Sequence, residues 1–212
     1  MFTHITAQTF AATTHLQVSK LKHTLSGFGE REFEVQVIEI DKHDPDLIAK
    51  VMEIDLLTFS EPTWSRYTAG LMLRHGRTFI LQIDGALVGT CQCLRSWEKP
   101  KEAAIFSMTI RPGWRGQGLG SLFLEDVITA LSDYDIRSVV IEVDPNNPVA
   151  LRLYQSRFGF EFVRDCEDEY GEGHHRIHLR RQITSKFSRP DVPYENIQPN
   201  GLTNEDETLL TN

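Results

Sequence analysis

Alternating apolar and polar residues in the first half of the chain predict strands joined by tight turns. Residues 33–40, Phe-Glu-Val-Gln-Val-Ile-Glu-Ile, alternate at the period of a strand with one buried face. Residues 78–83 form a second strand-like run, followed by Asp84-Gly85, a dipeptide typical of two-residue hairpin turns. We therefore predict that residues 86–94 return antiparallel to the strand before them.

Apolar residues elsewhere recur every three or four positions, which is the spacing of a helix with one buried face. Asp44-Pro45 and Asn147-Pro148 each pair an N-capping side chain with a first-turn proline. Gly76 and Gly159 are typical of residues that follow a helix end. Four helices are predicted on this basis, over residues 45–57, 65–75, 119–131 and 148–158.

Short apolar runs bounded by proline or glycine complete the pattern, because such runs are typical of buried strands. Residues 105–110 form one before Pro112-Gly113, and further strands are predicted at 138–143, 160–163 and 176–179. The predicted order is β-α-α-β-β-β-α-β-α-β-β, an α/β fold with helices flanking one mixed sheet. The strand–helix–strand passage from 105–110 to 138–143 implies a right-handed parallel crossover.

The two ends of the chain depart from these patterns. Residues 1–29 contain no acidic residue and many threonines, but they lack the arginines of an organellar transit peptide. We predict an N-terminal extension over 1–32 and one folded domain over 33–184. Residues 185–212 are rich in proline, asparagine and acids, so we expect a mobile acidic tail.

The net charge of the chain disfavours two classes of binding partner. A net charge of −8 disfavours nonspecific binding to nucleic acid or to an anionic membrane, and we predict neither partner. No apolar run reaches membrane-spanning length and no signal-peptide core is visible, which favours a cytoplasmic protein.

The cysteines and histidines predict no metal site. Three cysteines are an odd number for a disulfide framework, and Cys91 and Cys93 fit buried thiols on one face of a strand. His174, His175 and His178 are close in sequence, but adjacent strand residues point to opposite faces. No ligand set with zinc-like spacing results.

The turn between the strand at 105–110 and the helix at 119–131 is the strongest candidate for binding chemistry. It contains Gly116, Gly118 and Gly120, with Arg111 and Arg115 at its sides. Glycines let the main chain approach an anion closely, and the first N–H groups of a helix lack internal partners. We therefore predict a pyrophosphate site over residues 115–120.

Glycine-rich turns of this kind also occur in three other settings. A Walker A loop requires Lys-Ser/Thr after its last glycine, where this chain has Ser121-Leu122. A dinucleotide-binding fingerprint belongs at the first strand with another glycine spacing. A tight turn with a purely structural role remains compatible with the glycines alone.

Two motifs resemble those of the GCN5-related N-acetyltransferases. Residues 115–120, Arg-Gly-Gln-Gly-Leu-Gly, match the family's Arg/Gln-x-x-Gly-x-Gly/Ala signature, and Asn147, Leu153-Tyr154 and 158–160 resemble its second block. The resemblance covers roughly residues 35–182 and implies the acyl-CoA N-acyltransferase fold. It implies acetyl-CoA as acyl donor. The implied contacts are Met108, Thr109, Ile110, Arg115, Gly116, Gln117, Gly118, Leu119, Gly120, Ser121 and Asn147.

The same resemblance implies direct attack of an amine on the thioester, with Glu142 as base and Tyr154 as acid. The apolar neighbours of Glu142 would favour a raised pKa. Simpler roles remain open. Glu142 could be a solvent-facing strand residue and Tyr154 a core residue. Asn147 could serve only as a helix cap.

Within the family, the chain most resembles the ribosomal-protein-alanine acetyltransferases. Phe59, Trp64 and Tyr170 are the implied acceptor contacts, and the implied acceptor is a protein or peptide α-amine. Acetylation of a small amine such as a polyamine, amino acid or aminoglycoside is the enzymatic alternative. The other alternative is a non-catalytic module that binds acetyl-CoA. We expect the chain to be a monomer or a homodimer.

Overall fold

Eight strands form a single mixed sheet in the part of the chain that the computed structural model describes, residues 16–25, 31–40, 45–58 and 65–183. Their order across the sheet is β1-β2-β3-β4-β5-β6-β8-β7. The strands are β1 (Leu16–Thr24), β2 (Glu32–Ile40), β3 (Arg77–Ile83), β4 (Ala86–Arg95), β5 (Glu102–Ile110), β6 (Ser138–Val143), β7 (Glu161–Cys166) and β8 (Arg176–Gln182).

Helices cover both faces of this sheet. They are α1 (Pro45–Thr58), α2 (Arg66–His75), α3 (Leu119–Asp133) and α4 (Pro148–Leu151), and α4 continues as a π-helical segment, Arg152–Arg157. Adjacent strand residues point to opposite faces, so Phe79 joins the core against α3 while Ile80 joins the core against α1 and α2. No helix in the described ranges is long and apolar enough to cross a membrane.

The pair β5–β6 is parallel, and every other pair of neighbouring strands is antiparallel. β5 pairs with β6 only from Glu102 to Ile105, opposite Ser138 to Ile141. β5 continues to Ile110 with β4 on its other side. The sheet therefore opens between β5 and β6, and one edge of residues 106–110 is left without a strand partner among the described residues.

The predicted α/β class and element order are confirmed, with one addition. β1 lies inside the segment predicted as an N-terminal extension, and it pairs antiparallel with β2 along nearly its whole length. The hydroxyl of Ser19 on β1 donates to Oδ2 of Asp126 on α3 at 2.5 Å. Among the described residues, the sheet therefore begins at Leu16 and not at Phe33. The predicted tail over 185–212 lies outside the described residues.

Candidate functional site

The turn between β5 and α3 is built on glycines with left-handed backbone conformations. Gly113, Gly116 and Gly118 have φ values of 88°, 74° and 75°. Residues with a Cβ adopt such angles at a cost, so the path of the turn favours glycine at these positions. Gly120 differs, because a Cβ there would make only ordinary contact with Leu153 at 3.9 Å.

Main-chain N–H groups gather where this turn enters α3. Gly118 is the N-cap and supplies no capping side chain. Across the described residues, no backbone carbonyl accepts from the N–H groups of residues 116–120. These donors point from the positive end of the α3 dipole, which makes the turn suited to an anion. Leu119 and Ser121 are buried, and the N–H of Ser121 already donates to the carbonyl oxygen of Gly118 at 3.0 Å.

The two arginines beside this turn are held by neighbouring groups. Arg111 forms an ion pair with Glu53 on α1 at 2.8 Å. Nε of Arg115 donates to the carbonyl oxygen of Ile110, also at 2.8 Å. The charge of Arg111 is therefore partly compensated within the protein, whereas Arg115 stays exposed next to the glycines. Gln117 lies between Gly116 and Gly118, and its buried Oε1 accepts no hydrogen bond from the described residues.

The end of β5 presents its free edge beside this turn. Met108, Thr109 and Ile110 pair with β4 on one side only. Thr109 is buried and shares a hydrogen bond of 2.9 Å with the hydroxyl of Thr90. The backbone of β5 is therefore fixed by β4, and its other edge can accept a further extended chain at Met108 and Thr109, whereas the carbonyl oxygen of Ile110 already accepts from Arg115.

Tyr154 comes close to this edge from the π-helical segment. Its hydroxyl lies 4.0 Å from Sδ of Met108, and its ring packs edge-to-face on Phe160 with centroids 5.6 Å apart. The residue is 6% exposed. Burial, with a smaller contribution from Cys91, raises the pKa of Tyr154 well above its ordinary value. The phenol is therefore neutral and able to donate at physiological pH.

Glu142 lies on β6 just beyond the last β5–β6 pair. Its neighbours Ile141 and Val143 belong to the core against α3, so its own side chain points to the opposite face. The side chain is 25% exposed and has polar neighbours. Tyr170 donates to Oε2, and Nδ1 of His178 stands 3.6 Å from Oε1. The expectation of apolar surroundings for this carboxylate is therefore wrong.

Tyr170 reaches Glu142 from the turn between β7 and β8. The guanidinium of Arg176 lies over its ring, 5.4 Å from the centroid, and the residue is 58% exposed. Desolvation and then the hydrogen bond to Glu142 raise the pKa of Tyr170 to about 12. Among the three predicted acceptor contacts, Tyr170 is the one that lies in a described range. Phe59 and Trp64 lie outside those ranges.

Asn147 is the N-cap of α4. Its Oδ1 accepts from the N–H of Ala150 at 3.0 Å, and Pro148 follows as the first helical residue. This confirms the predicted cap. A contact of Asn147 with a ligand stays a prediction.

The structure brings two further side chains beside Glu142. His178 is the direct partner of Glu142 across the β6–β8 pair, and Cys166 on β7 lies on the same face. Donor atoms of Glu142, Cys166 and His178 lie within 4.8 Å of one another. Burial raises the pKa of the Cys166 thiol. His175 instead faces Asp168, with Nδ1 and Oδ1 3.8 Å apart. His175 and His178 therefore lie beside different carboxylates.

Known proteins resemble this chain in sequence and in fold. A Bacillus subtilis (strain 168) protein, provisionally named a [ribosomal protein bS18]-alanine N-acetyltransferase, is 29% identical over 117 residues, 54% of this chain and 74% of that protein. The Escherichia coli ribosomal-protein-S18-alanine N-acetyltransferase structure gives a TM-score of 0.60 at 21% identity, covering 75% of this chain and 99% of that one.

A third similarity is to Arabidopsis thaliana Naa50, whose structure was solved with the bisubstrate analogue CoA-Ac-MVNAL. Its TM-score is 0.59 at 19% identity, over 70% of this chain and 99% of that one. Residues 47–160, more than half of the chain, match the model of the Acetyltransferase (GNAT) family. The prediction of an N-acetyltransferase is therefore confirmed, and the chain belongs to the Acetyltransferase (GNAT) family.

Proposed function

We propose that this enzyme transfers an acetyl group from acetyl-CoA to the α-amino group of a protein or peptide. The observation that carries the proposal is the position of Glu142, which Tyr170 holds just beyond the point where β5 and β6 separate. The name of the Bacillus subtilis relative and the peptide-bearing analogue bound to Naa50 support an N-terminal acceptor.

The donor side fits acetyl-CoA in two independent respects. N–H groups of residues 116–120 have no backbone acceptor within the described chain, so they suit the diphosphate. The free edge of β5 at Met108, Thr109 and Ile110 suits the amide-bearing pantetheine arm. Bound acetyl-CoA supplies a thioester that an amine can attack and a thiolate that can leave.

The contacts proposed for the donor follow from this fit. Arg115, Gly116, Gln117, Gly118, Leu119, Gly120 and Ser121 would hold the diphosphate end, mainly through main-chain groups. Asn147 would add a contact from the start of α4. A main-chain N–H near Met108 would donate to the thioester carbonyl oxygen and stabilise the negative charge that develops on it.

Glu142 would act on the acceptor. An α-amine with a pKa near 8 is about one-tenth neutral at pH 7, and only the neutral form attacks. The carboxylate of Glu142 would take the proton, directly or through a water, as the nitrogen bonds to the thioester carbon. Its partial exposure leaves it within reach of an acceptor. Tyr170, with Phe59 and Trp64, would contact the residue that bears the amine.

Tyr154 would act on the leaving group from the other face of the sheet. It packs in the core against α3, whereas Glu142 points away from that core. Donor and acceptor would therefore meet in the opening between β5 and β6. Because its pKa is raised, Tyr154 remains a hydrogen-bond donor to the departing sulfur as the C–S bond breaks. Full transfer of this proton to the sulfur would leave a buried phenolate, so Tyr154 would keep its proton and hydrogen-bond the thiolate, and CoA would take a proton from solvent on release.

A panel of acceptors tests this proposal. The purified chain is incubated with acetyl-CoA and peptides that differ only in a free or blocked N-terminus, with polyamines, amino acids and aminoglycosides alongside. Mass spectrometry should locate the acetyl group on the α-nitrogen of the free peptide. Acetylation of only the small amines would replace this proposal with the small-molecule alternative. Saturable acetyl-CoA binding without turnover would identify a binding module.

A further inference from the structure

Three side chains from three neighbouring strands converge beside the proposed base. Glu142 on β6 is directly opposite His178 on β8, and directly opposed residues share one face of the sheet. Cys166 on β7 is opposite Arg176, two residues before His178, so it lies on that face too. The carboxylate, imidazole and thiol donor atoms are all within 4.8 Å of one another.

The donor atoms of this cluster suit a borderline-soft cation. Thiolate, imidazole and carboxylate are the ligands of Zn²⁺, and sites with three protein ligands keep a fourth position for water. Mg²⁺ and Ca²⁺ prefer oxygen ligands throughout, so Cys166 argues against them. All the strands involved are hydrogen-bonded to a neighbour, and short side-chain shifts would bring the donors to one centre.

His178 supplies an independent indication of a ligand. Its Nδ1 is buried and has no hydrogen-bond partner in the described ranges, while Oε1 of Glu142 stands 3.6 Å away. A buried polar nitrogen without a partner is destabilising, and a bound cation would satisfy it. A bridging water would satisfy Nδ1 equally well, but it would give no thiolate-to-cobalt band on titration with Co²⁺.

We propose that Glu142, Cys166 and His178 bind Zn²⁺, and that the bound ion inhibits acetyl transfer by occupying the carboxylate needed as base. Binding releases the Cys166 thiol proton to solvent as the sulfur–zinc bond forms. Oε1 of Glu142 and Nδ1 of His178 complete the protein ligands, and Tyr170 keeps its bond to Oε2 and orients the carboxylate. The inhibitory part rests on the proposed function, whereas the binding part does not.

Metal binding is tested without any activity measurement. The untagged full chain is treated with a chelator and titrated with Co²⁺, which reports thiolate ligation and tetrahedral geometry in its absorption spectrum. Zn²⁺ then displaces the cobalt. We expect one equivalent and a thiolate-to-cobalt band that Cys166→Ser abolishes. Each of Cys166→Ser and His178→Ala should weaken Zn²⁺ binding by more than the roughly 10- to 100-fold expected for loss of an outer-shell partner.

His174→Ala is the matched control, because His174 is exposed and lies outside the cluster. It should bind both ions as the wild type does. Circular dichroism and thermal unfolding establish that each variant is folded. If Cys166→Ser does not fold, Cys166→Ala replaces it as the variant without the thiol. Absence of saturable binding, or binding that Cys166→Ser and His178→Ala leave unchanged, would overturn the site.

The inhibitory part is tested by following the acetylated peptide by mass, because free CoA thiol also binds zinc. Wild-type turnover should fall as Zn²⁺ fills the site and recover with chelator. Cys166→Ser should keep near-wild-type turnover without zinc and need at least tenfold more zinc for the same inhibition. An enzyme that binds Zn²⁺ but is not inhibited would contradict the inhibitory part. A chain that binds Zn²⁺ but acetylates no peptide would contradict the proposed function and leave the site standing.

Discussion

The hydroxyl of Tyr170 donates a hydrogen bond to Oε2 of Glu142, which joins the β7–β8 turn to the strand that carries the proposed base. The bond occupies one carboxylate oxygen and leaves Oε1 toward His178. An acceptor amine therefore has Oε1 to approach, or it must displace Tyr170. The half-exposed ring of Tyr170 places an aromatic surface beside that approach, which gives this residue two roles, orienting the base and contacting the acceptor.

Glu142→Gln tests the base directly. Glutamine has nearly the same shape and its carbonyl oxygen can still accept from Tyr170, but it cannot take a proton at neutral pH. We expect kcat/KM for an α-amine acceptor to fall about 10²- to 10⁴-fold at pH 7. The difference in kcat/KM between wild type and variant should become smaller above pH 8, because an amine with a pKa of about 8 is then mostly neutral without a base.

The measurement is a pH series of initial rates for Glu142→Gln, the wild type and Glu98→Gln. Glu98 is an exposed residue of the β4–β5 connection and serves as the control for loss of one surface carboxylate. Its profile should match the wild type. Wild-type rates in Glu142→Gln at pH 7 would rule out the assignment of the base.

Tyr170→Phe tests the phenol whose pKa the fold raises. The folded chain retains the Tyr170 proton to about pH 12, whereas the unfolded chain loses it near pH 10. The unfolded state therefore binds fewer protons between these values, and stability falls as pH rises. The stabilisation linked to this proton is complete below pH 10 and is lost as pH rises to about 12.

Denaturant unfolding at several values from pH 9 to pH 11.5 measures this effect. The difference in free energy of unfolding between wild type and Tyr170→Phe should stay constant below pH 10 and shift against the wild type above it. Other alkaline titrations occur in both proteins and cancel in the difference. If the free energies of unfolding of the two proteins change in parallel from pH 9 to pH 11.5, Tyr170 ionises as a free tyrosine does.

Periodicity predicted the order of the elements well, but not β1 or the π-helical segment. In Leu16–Thr24 the apolar positions are 16, 18 and 21, so the alternation slips, and the pairing with β2 shifts register between Gln17 and Ser19. A bulge of this kind hides a strand from any period-two pattern. The π-helical bond from Phe158 to Leu153 inserts one residue into the last turn before Gly159, where too few apolar positions follow to reveal the shift in period.

The sequence predicts individual residues of the proposed site but not which of them contact one another. The glycine turn, Glu142 and Tyr154 carry local signals, because each depends on residues close in sequence. The neighbours of Glu142 depend on β8 lying between β6 and β7, which pairs Glu142 with His178. Alternation assigns a residue to one of two faces, and it does not say which strands are adjacent. The sequence therefore does not predict that Cys166 and His178 lie beside Glu142.

Tyr154→Phe separates the acid role from a packing role. Removing one hydroxyl keeps the ring against Phe160, so the fold and the acetyl-CoA dissociation constant should change little. We expect kcat to fall about 10²-fold or more, because the departing sulfur loses its donor. Tyr134→Phe is the control. It removes a hydroxyl bound to Glu39, away from the opening between β5 and β6, and should leave kcat near the wild-type value. Unchanged kcat in Tyr154→Phe would make Tyr154 a core residue only.

Gly118→Asp tests the anion site at the start of α3. Gly118 has a φ of 75° and is the N-cap of α3, so an aspartate there adds backbone strain and a negative charge beside the proposed diphosphate. Acetyl-CoA binding should fall below detection. Strain alone could weaken the fold, so the control must carry the same strain and the same charge elsewhere.

Gly85→Asp supplies that control. Gly85 has a φ of 78° in the β3–β4 hairpin, and a Cβ there would meet nothing within 4 Å. A left-handed residue with a side chain costs on the order of 1–2 kcal/mol, so thermal unfolding must first establish that both variants are folded. Isothermal titration with acetyl-CoA should then show near-wild-type affinity for Gly85→Asp and none for Gly118→Asp. Equal affinity in the two folded variants would mean that the glycine turn serves the path of the chain and does not bind the coenzyme.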